Sequence, residues 1–397
     1  MQLSLFRGLK GRMLLSIGTA VCIGLALITT LVSRETTKVV REDAFQYARA
    51  QAEIVARDAA GPMNDAISVA RSLAVALEGL KRSDTPPSRA MADAILANAL
   101  QENPALLGVW TVWEPNAFDG RDAEFVNQPG HDATGRYIPY WNRGTGTTVV
   151  EANKDYTVEG AGDYYLVPKK TNRETAVEPY TYSVGGREML ITSLAVPIHD
   201  ASGAVIGVVG VDMALNAISA QISSAKVGAT GYAALVSGAG LYVAHPREER
   251  VGKPIVASDP WIQPHLADIR AGERFFASSV SKTLGQTVFR VAAPVSIGRG
   301  GAAWSAIVSI PEGEVLAAAR RLSGMVATVG GVMLLLVLVV VWVLAGRIVR
   351  PIRDIAETLT QGADQTASAA SEVSAASQSL AQGASEQASS LEETRAS

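Results

Sequence analysis

Cysteine and histidine are scarce in this chain, and neither sign of charge is in large excess. Its 397 residues include one cysteine and four histidines, and the formal net charge is −3. A single thiol, Cys22, cannot form an intrachain disulfide framework. The histidines are scattered through the sequence, so they do not indicate a zinc site, and the near-neutral charge gives no positive field for nucleic acid. We therefore expect no cofactor, no metal site, no enzymatic activity and no nucleic-acid partner.

Charged residues are also absent from two long stretches, residues 13–33 and residues 322–346. A helix crosses the hydrocarbon core of a bilayer with roughly 20 apolar residues, so both stretches are predicted transmembrane helices. The first could instead be a cleaved signal peptide, because basic residues precede it. It is about twice as long as a typical signal-peptide core, and no clear small-x-small cleavage site follows, which favours a retained span.

Basic residues next to the two spans predict the orientation of the chain. Cytoplasmic segments carry an excess of lysine and arginine, which places residues 1–12 and the segment after residue 346 inside. The basic residues concerned are Arg7, Lys10, Arg12, Arg347, Arg350 and Arg353. Residues 34–321 then lie outside the membrane, in the periplasm if the cell has an outer membrane.

The outer segment predicts an α+β fold built from one long helix and two consecutive modules. Small and apolar residues recur at three- and four-residue steps over residues 35–80, which predicts a long helix that bends at Gly61-Pro62. Strand and turn signals then predict a distal module of about five antiparallel strands at about residues 103–223, ending in a helix from Met213. A smaller proximal module follows at about residues 226–312.

An ordered set of short motifs in this segment resembles the double Cache domain of bacterial receptors, a pair of PAS-like sheets. The resemblance covers roughly residues 35–312. It implies that the distal module binds a small molecule and that the proximal module relays the signal. The motifs are Gly135-Arg-Tyr-Ile-Pro-Tyr-Trp141, Asp163-Tyr-Tyr165, Glu178-Pro-Tyr180, Thr192-Ser193, Pro197-Ile198, Gly207-Val-Val-Gly-Val-Asp212, Gly231-Tyr232 and Ala244-His-Pro246.

Aromatic and acidic residues dominate the predicted ligand site. An acid at the position of Asp212 often meets a ligand amine in Cache domains, although Asp212 could equally be the N-cap of the following helix. Amino-acid-binding members carry an arginine where this chain has Gly162, and Arg136 or Arg143 could substitute for it. Carboxylates and aromatic faces together favour an amine or a quaternary ammonium ligand. The candidate residues, about half of which we expect near the ligand, are Tyr140, Trp141, Asp163, Tyr164, Tyr165, Glu178, Tyr180, Tyr182 and Asp212.

The segment after the second span has two parts. Residues 347–362 resemble the opening of a HAMP linker, but HAMP is either missing or reduced to one helix. Residues 363–397 have small residues at heptad spacing, which predicts a tightly packed coiled-coil helix. The sequence around Glu386 and Glu393 resembles the methylation sites of methyl-accepting chemotaxis proteins, where loss of glutamate charge changes helix packing.

These patterns predict a homodimeric chemotaxis receptor. The resemblance implies a chemotaxis kinase, a coupling protein, a methyltransferase and a methylesterase as partners of the full-length receptor. Alternatives are the sensor of a membrane histidine kinase or nucleotide cyclase, and a receptor for amino acids or organic acids. A kinase would carry a phosphoacceptor histidine after the second span, and no histidine follows His265.

Overall fold

The computed structural model describes residues 9–82, 87–299 and 303–395. These residues form two compact units, one of residues 38–318 and one of residues 1–37 with residues 319–397. The helices are α1 (Leu9–Lys81), α2 (Arg89–Glu102), α3 (Asp163–Thr171), α4 (Leu215–Ser223), α5 (Ile255–Ser258), α6 (Leu266–Ala271), α7 (Glu312–Val315) and α8 (Ala317–Arg395). The strands are β1 (Gly108–Trp113), β2 (Pro139–Asn142), β3 (Val149–Ala152), β4 (Thr175–Ala176), β5 (Tyr180–Val184), β6 (Arg187–His199), β7 (Val205–Ala214), β8 (Tyr232–Val236), β9 (Tyr242–Ala244), β10 (Phe275–Ser281), β11 (Gln286–Ser296) and β12 (Ala303–Pro311).

The distal module is a seven-stranded antiparallel sheet. Its strands run in the order β3-β2-β1-β7-β6-β4, and β5 pairs with β6 as well. One face packs on α1 and α2, while α3 and the loops before it cover the other face. The register between β1 and β7 places Gly108 opposite Asp212, and β6 places Ser193 on the other side of Asp212.

The proximal module is a five-stranded antiparallel sheet in the order β10-β11-β12-β8-β9. One of its faces packs on α1, and the other is covered by the segment that contains α5 and α6. Small residues of α1 such as Ala52, Ala59 and Ala70 are fully buried, which lets both sheets approach the helix closely. The two modules therefore share one hydrophobic core along α1.

The structure corrects several details of the predicted elements. The distal sheet has seven strands rather than about five, and α3 and β10 were not predicted. The helix α4 begins at Leu215 rather than Met213, because the backbone pairing between β6 and β7 continues to Ala214. Asp212 is therefore a strand residue and not an N-cap. The helix α1 runs unbroken through Pro62, in agreement with the prediction that Gly61-Pro62 does not end the helix.

The unit of residues 1–37 and 319–397 consists of the first part of α1 and most of α8. Both helices contain a segment that is long and apolar enough to cross a membrane. The Ser33 and Ser323 hydroxyls lie 3.4 Å apart, and Gly330 leaves no room for a Cβ beside Leu25. The helix α8 continues without a break through Pro351 and the predicted linker into the predicted methylation segment.

Candidate functional site

A buried carboxylate lies at the centre of the distal sheet. Asp212 is 2% exposed, and its Oδ1 accepts hydrogen bonds from Trp110 Nε1 at 2.8 Å and Ser193 Oγ at 2.6 Å. Burial raises the pKa of Asp212 to about 6, although the hydrogen bonds from Ser193 and Trp110 oppose this shift. No cation among the described residues forms an ion pair with it. The carboxylate is thus held in place but its charge is not balanced.

Five aromatic rings surround this carboxylate. We call them the aromatic box: Trp110, Tyr140, Tyr164, Tyr180 and Tyr182. The Trp110 ring meets the Tyr164 ring edge-on with centroids 4.9 Å apart, and the Tyr164 and Tyr180 rings are parallel at 6.2 Å. Tyr182 makes edge contacts with Tyr140, Tyr164 and Tyr180. The negative ring faces and the carboxylate together suit a positively charged ligand.

Hydrogen bonds fix three of the tyrosines in the box. The Tyr164 hydroxyl donates to Lys154 O at 2.6 Å, and the Lys154 amide donates to the Tyr182 hydroxyl at 2.8 Å. The Tyr180 and Ser193 hydroxyls lie 2.7 Å apart. Buried Tyr140 differs, because its hydroxyl lies near the Asp212 carboxylate but makes no hydrogen bond of normal geometry to any described residue. Burial and the charge of Asp212 raise the Tyr140 pKa, so its hydroxyl is a protonated donor that a ligand could use.

Two glycines make room for the rings. A Cβ on Gly108 would lie 2.4 Å from Tyr140 Cε2, and a Cβ on Gly210 would lie 2.2 Å from Trp110 Cζ2. Either contact is far inside van der Waals distance. Each ring therefore lies against the backbone of a neighbouring strand, and no larger residue can replace these glycines without displacing the box.

Four of the predicted site residues lie outside the box. Trp141 is on the opposite face of the sheet, where its Nε1 donates to Asp93 at 3.3 Å. Asp163 begins α3 and accepts a hydrogen bond from Gly160 N at 3.0 Å. Tyr165 contacts the Glu114 carboxylate at the rim. Glu178 reaches the proximal module instead, as described below. The structure brings together the other five, namely Tyr140, Tyr164, Tyr180, Tyr182 and Asp212.

Trp110 and Ser193 are the site residues that the sequence analysis did not assign. Trp110 looked like an ordinary apolar strand residue, although its even spacing from Gly108 on β1 puts both on one face. Ser193 was part of a family motif without a role. Only the pairing of β1, β7 and β6 shows that both contact Asp212.

The two arginines that could have gripped a ligand carboxylate are bound elsewhere. Arg136 donates through Nε to Trp113 O and through Nη2 to the Tyr165 hydroxyl at 2.7 Å. Arg143 donates to Asn103 O and Leu106 O, near the end of α2. Neither guanidinium belongs to the box. The box thus lacks the bidentate cation that α-carboxylate recognition needs.

Comparison with known proteins places this fold in a family. The Cache domain model dCache_1 matches residues 36–319, so the chain belongs to the Cache domain family, which confirms the resemblance found in the sequence. Over 288 residues, which are 66% of this chain, it is 30% identical to the methyl-accepting chemotaxis protein TlpQ of Pseudomonas aeruginosa PAO1. The match covers 40% of the length of TlpQ.

Two solved structures resemble about 70% of the chain. One is the extracellular domain of a protein described as a histidine kinase, mmHK1S-Z3, with a TM-score of 0.62 and 31% identity over 72% of this chain and 99% of that chain. The other is methyl-accepting chemotaxis protein X, with a TM-score of 0.59 and 26% identity over 69% of this chain and 99% of that chain.

Proposed function

We propose that this chain is the sensory part of a non-enzymatic chemotaxis receptor and that its aromatic box binds a small organic cation. The observation that carries the ligand class is the buried carboxylate of Asp212 without a balancing cation. A buried, unpaired carboxylate is costly, and an ammonium group beside it removes that cost. The surrounding rings add roughly 0.5 to 2 kcal/mol each for a cation over their faces. Primary amines, polyamines and quaternary ammonium compounds share this chemistry.

An amino acid or organic acid is the weaker candidate. Such a ligand brings a carboxylate, which needs a cationic partner in a buried site. Arg136 and Arg143 already donate to Trp113 O and Leu106 O respectively, so recruiting either would break existing hydrogen bonds. Asp212 can pair with the ammonium group of an amino acid, whereas the box offers no cationic group to pair with its carboxylate.

The aromatic box is closed to solvent, so a ligand can bind only after a movement of the protein. Trp110, Tyr140 and Tyr164 are each no more than 2% exposed. A ligand can enter only if part of the wall moves. The strand β5 is the mobile candidate, because it carries Tyr180 and Tyr182 and pairs with β6 alone. Ligand entry would therefore displace the segment that leads into β5.

The test is a thermal-shift screen of the full chain in lipid nanodiscs. We expect amines or quaternary ammonium compounds to raise the melting temperature of the wild type and to leave that of Asp212→Asn unchanged. Asp163→Asn is the matched control, because it removes a carboxylate outside the box and should retain the response. A wild type that no cation stabilises, and that a carboxylate stabilises in a manner lost in Asp212→Asn, would refute the ligand class.

The cytoplasmic part of the proposal rests on α8. The Glu386 side chain is exposed on this helix, in a segment rich in alanine, serine and glutamine. Glu393 is helical, and its side chain lies outside the described residues. We propose both as methylation sites of a homodimer in the bacterial inner membrane, with a periplasmic sensor domain. In the full-length receptor, its partners are a kinase, a coupling protein, a methyltransferase and a methylesterase. After incubation with a chemotaxis methyltransferase, mass spectrometry should detect methyl esters at Glu386 and Glu393. Glu372 is the internal control and should remain unmodified.

The sensor of a histidine kinase is the second candidate, since the extracellular domain of mmHK1S-Z3 resembles this chain about as closely in fold as methyl-accepting chemotaxis protein X does. The same outer domain can serve either output. Coupling of a ligand to methylation of Glu386 would favour the chemoreceptor. Ligand-dependent autophosphorylation of the natural full-length protein on its own histidine would favour the kinase.

A further inference from the structure

The proximal module contains a buried charge cluster that the proposed amine site does not involve. It lies on the sheet face that points away from α1, under the segment of residues 245–272. Arg290 of β11 is 1% exposed, and Arg250 and Asp259 are also buried. Buried Tyr242 and His245 complete what we call the arginine cluster. This face corresponds to the face that carries the aromatic box in the distal module.

The arginine cluster contains more positive than negative charge. Asp259 Oδ2 accepts hydrogen bonds from Arg250 Nη1 at 2.7 Å and from the Tyr242 hydroxyl at 2.9 Å. One carboxylate therefore serves two guanidinium groups, those of Arg250 and Arg290. His245 adds no negative charge, and burial together with the charge of Arg250 lowers its pKa to about 4. One positive charge of the cluster remains unbalanced.

Arg290 has a free donor at this point. Its Nη1 donates to the Ser279 hydroxyl, whereas its Nη2 makes no hydrogen bond to any described residue. The distance from Nη2 to Asp259 Oδ1 is 3.5 Å, which is an ion pair without hydrogen-bond geometry. The guanidinium lies over the Trp261 ring at 4.5 Å from its centroid. Stacking holds the plane of the guanidinium and leaves part of its edge available to a planar acceptor.

We infer that the proximal module binds a short monocarboxylate at Arg290. A carboxylate supplies the missing negative charge and accepts charge-assisted hydrogen bonds from a guanidinium edge. Buried apolar residues lie on the same side of the sheet, which suits a short alkyl tail better than a spherical halide or a second charged group. These residues are Ala234, Ile262, Ala292 and Ile307. The module would then be a second sensor input, independent of the ligand of the aromatic box.

The experiment measures melting of the full chain in nanodiscs with sodium propionate or acetate, against sodium chloride at equal ionic strength. We expect a rise with the carboxylates and not with chloride. Arg290→Met should abolish the rise, with affinity reduced at least roughly tenfold, since one charge-assisted pair is lost. This variant should fold, because it leaves the Arg250–Asp259 pair balanced. An equal rise with chloride, or a rise retained in Arg290→Met, would overturn the inference.

Two controls separate this site from other effects. Arg274→Met makes the same substitution at a largely exposed arginine of the same module, so it should keep the carboxylate response. Asp212→Asn should keep it too, because it alters only the aromatic box. Equilibrium dialysis of the wild type against radiolabelled propionate needs no variant. Retention near one molecule per chain supports the site, and no retention at about millimolar concentration contradicts it.

Discussion

Glu178 Oε1 accepts a hydrogen bond of 2.9 Å from the backbone amide of Ala239. Glu178 lies two residues before Tyr180 of the aromatic box, and Ala239 lies in the turn between β8 and β9 of the proximal module. The contact thus links the wall of one proposed ligand site to the other module. The other carboxylate oxygen of Glu178, Oε2, is buried without a hydrogen bond to any described residue. Because only Oε1 makes the contact with Ala239, a small shift of β5 would readily change it.

We predict that Glu178→Gln weakens communication between the modules without weakening amine binding. A neutral acceptor holds the Ala239 amide less strongly, by about 1 kcal/mol. Hydrogen exchange at Ala239 should become faster in the variant and should lose its dependence on amine. Glu188→Gln, a change at an exposed residue of β6, is the control. Exchange at Ala239 that still responds to amine in Glu178→Gln would mean that the signal takes another route.

Asp212→Asn is predicted to stabilise the unliganded chain. The folded state raises the pKa of Asp212 to about 6, so its ionised form is unfavourable in the fold near neutral pH. Removing this charge should raise the free energy of unfolding by roughly 2 kcal/mol at about pH 7. Asparagine keeps an acceptor for Trp110 and Ser193. Thermal unfolding of the two proteins measures the difference, and a less stable variant would show that the carboxylate is already compensated.

The same pKa predicts how stability depends on pH. Because the folded-state pKa is raised above the unfolded value, the contribution of Asp212 is fully present below about pH 4 and is lost as pH rises through about 6. The difference in stability between Asp212→Asn and the wild type should therefore grow across this window. Melting curves of both proteins at several pH values would detect it, and a constant difference would rule out titration of Asp212.

Amine affinity should follow the opposite trend. The ionised carboxylate is the binding form, so affinity should rise by roughly tenfold between about pH 5 and pH 8, with release of a proton at the acidic end. Isothermal titration calorimetry in buffers of different ionisation heat measures both quantities. A permanently charged quaternary ammonium ligand is the appropriate probe, because its own charge does not titrate. Affinity independent of pH would place the cation away from Asp212.

Gly210→Ala is predicted to disrupt the box. The added methyl group would overlap the Trp110 ring, and the overpacking should cost about 1 to 3 kcal/mol and displace the Trp110 donor from Asp212. Amine binding should fall together with stability. Gly79→Ala is the matched control, because its Cβ meets no atom within 4 Å and α1 favours alanine there. Normal amine affinity in Gly210→Ala would show that Trp110 is not part of the site.

The sequence predicted the order of elements well because the apolar periodicity is strong. The long helix, the hairpin of β5 and β6, and the two apolar spans all follow from patterns that a short window of residues contains. The helix α3 was missed because Pro168 and two adjacent tyrosines do not resemble a helix, and it forms by packing on β6 and β7. The strand β10 was missed because serines occupy much of its length.

The composition of the site was only partly predictable, for a reason of geometry. Asp212 and four tyrosines were identified from family motifs and residue type, which indicate chemistry but not which side chains meet in space. Trp141 and Tyr140 are adjacent in sequence and lie on opposite faces of a strand, so a set chosen by motif necessarily mixed both faces. Strand register decides which residues meet, and register depends on the pairing of β1 with β7, residues that are about a hundred positions apart.

The core that the two modules share along α1 determines what a melting temperature of this chain reports. Since both sheets bury their inner faces against the same helix, neither module can lose its packing without exposing apolar surface of the other. Residues 38–318 should therefore unfold in a single cooperative transition. A ligand at either site then raises the same melting temperature, by an amount that grows with the ratio of its free concentration to its dissociation constant. In melting experiments, variants such as Asp212→Asn and Arg290→Met are therefore needed to distinguish occupancy of one site from occupancy of the other.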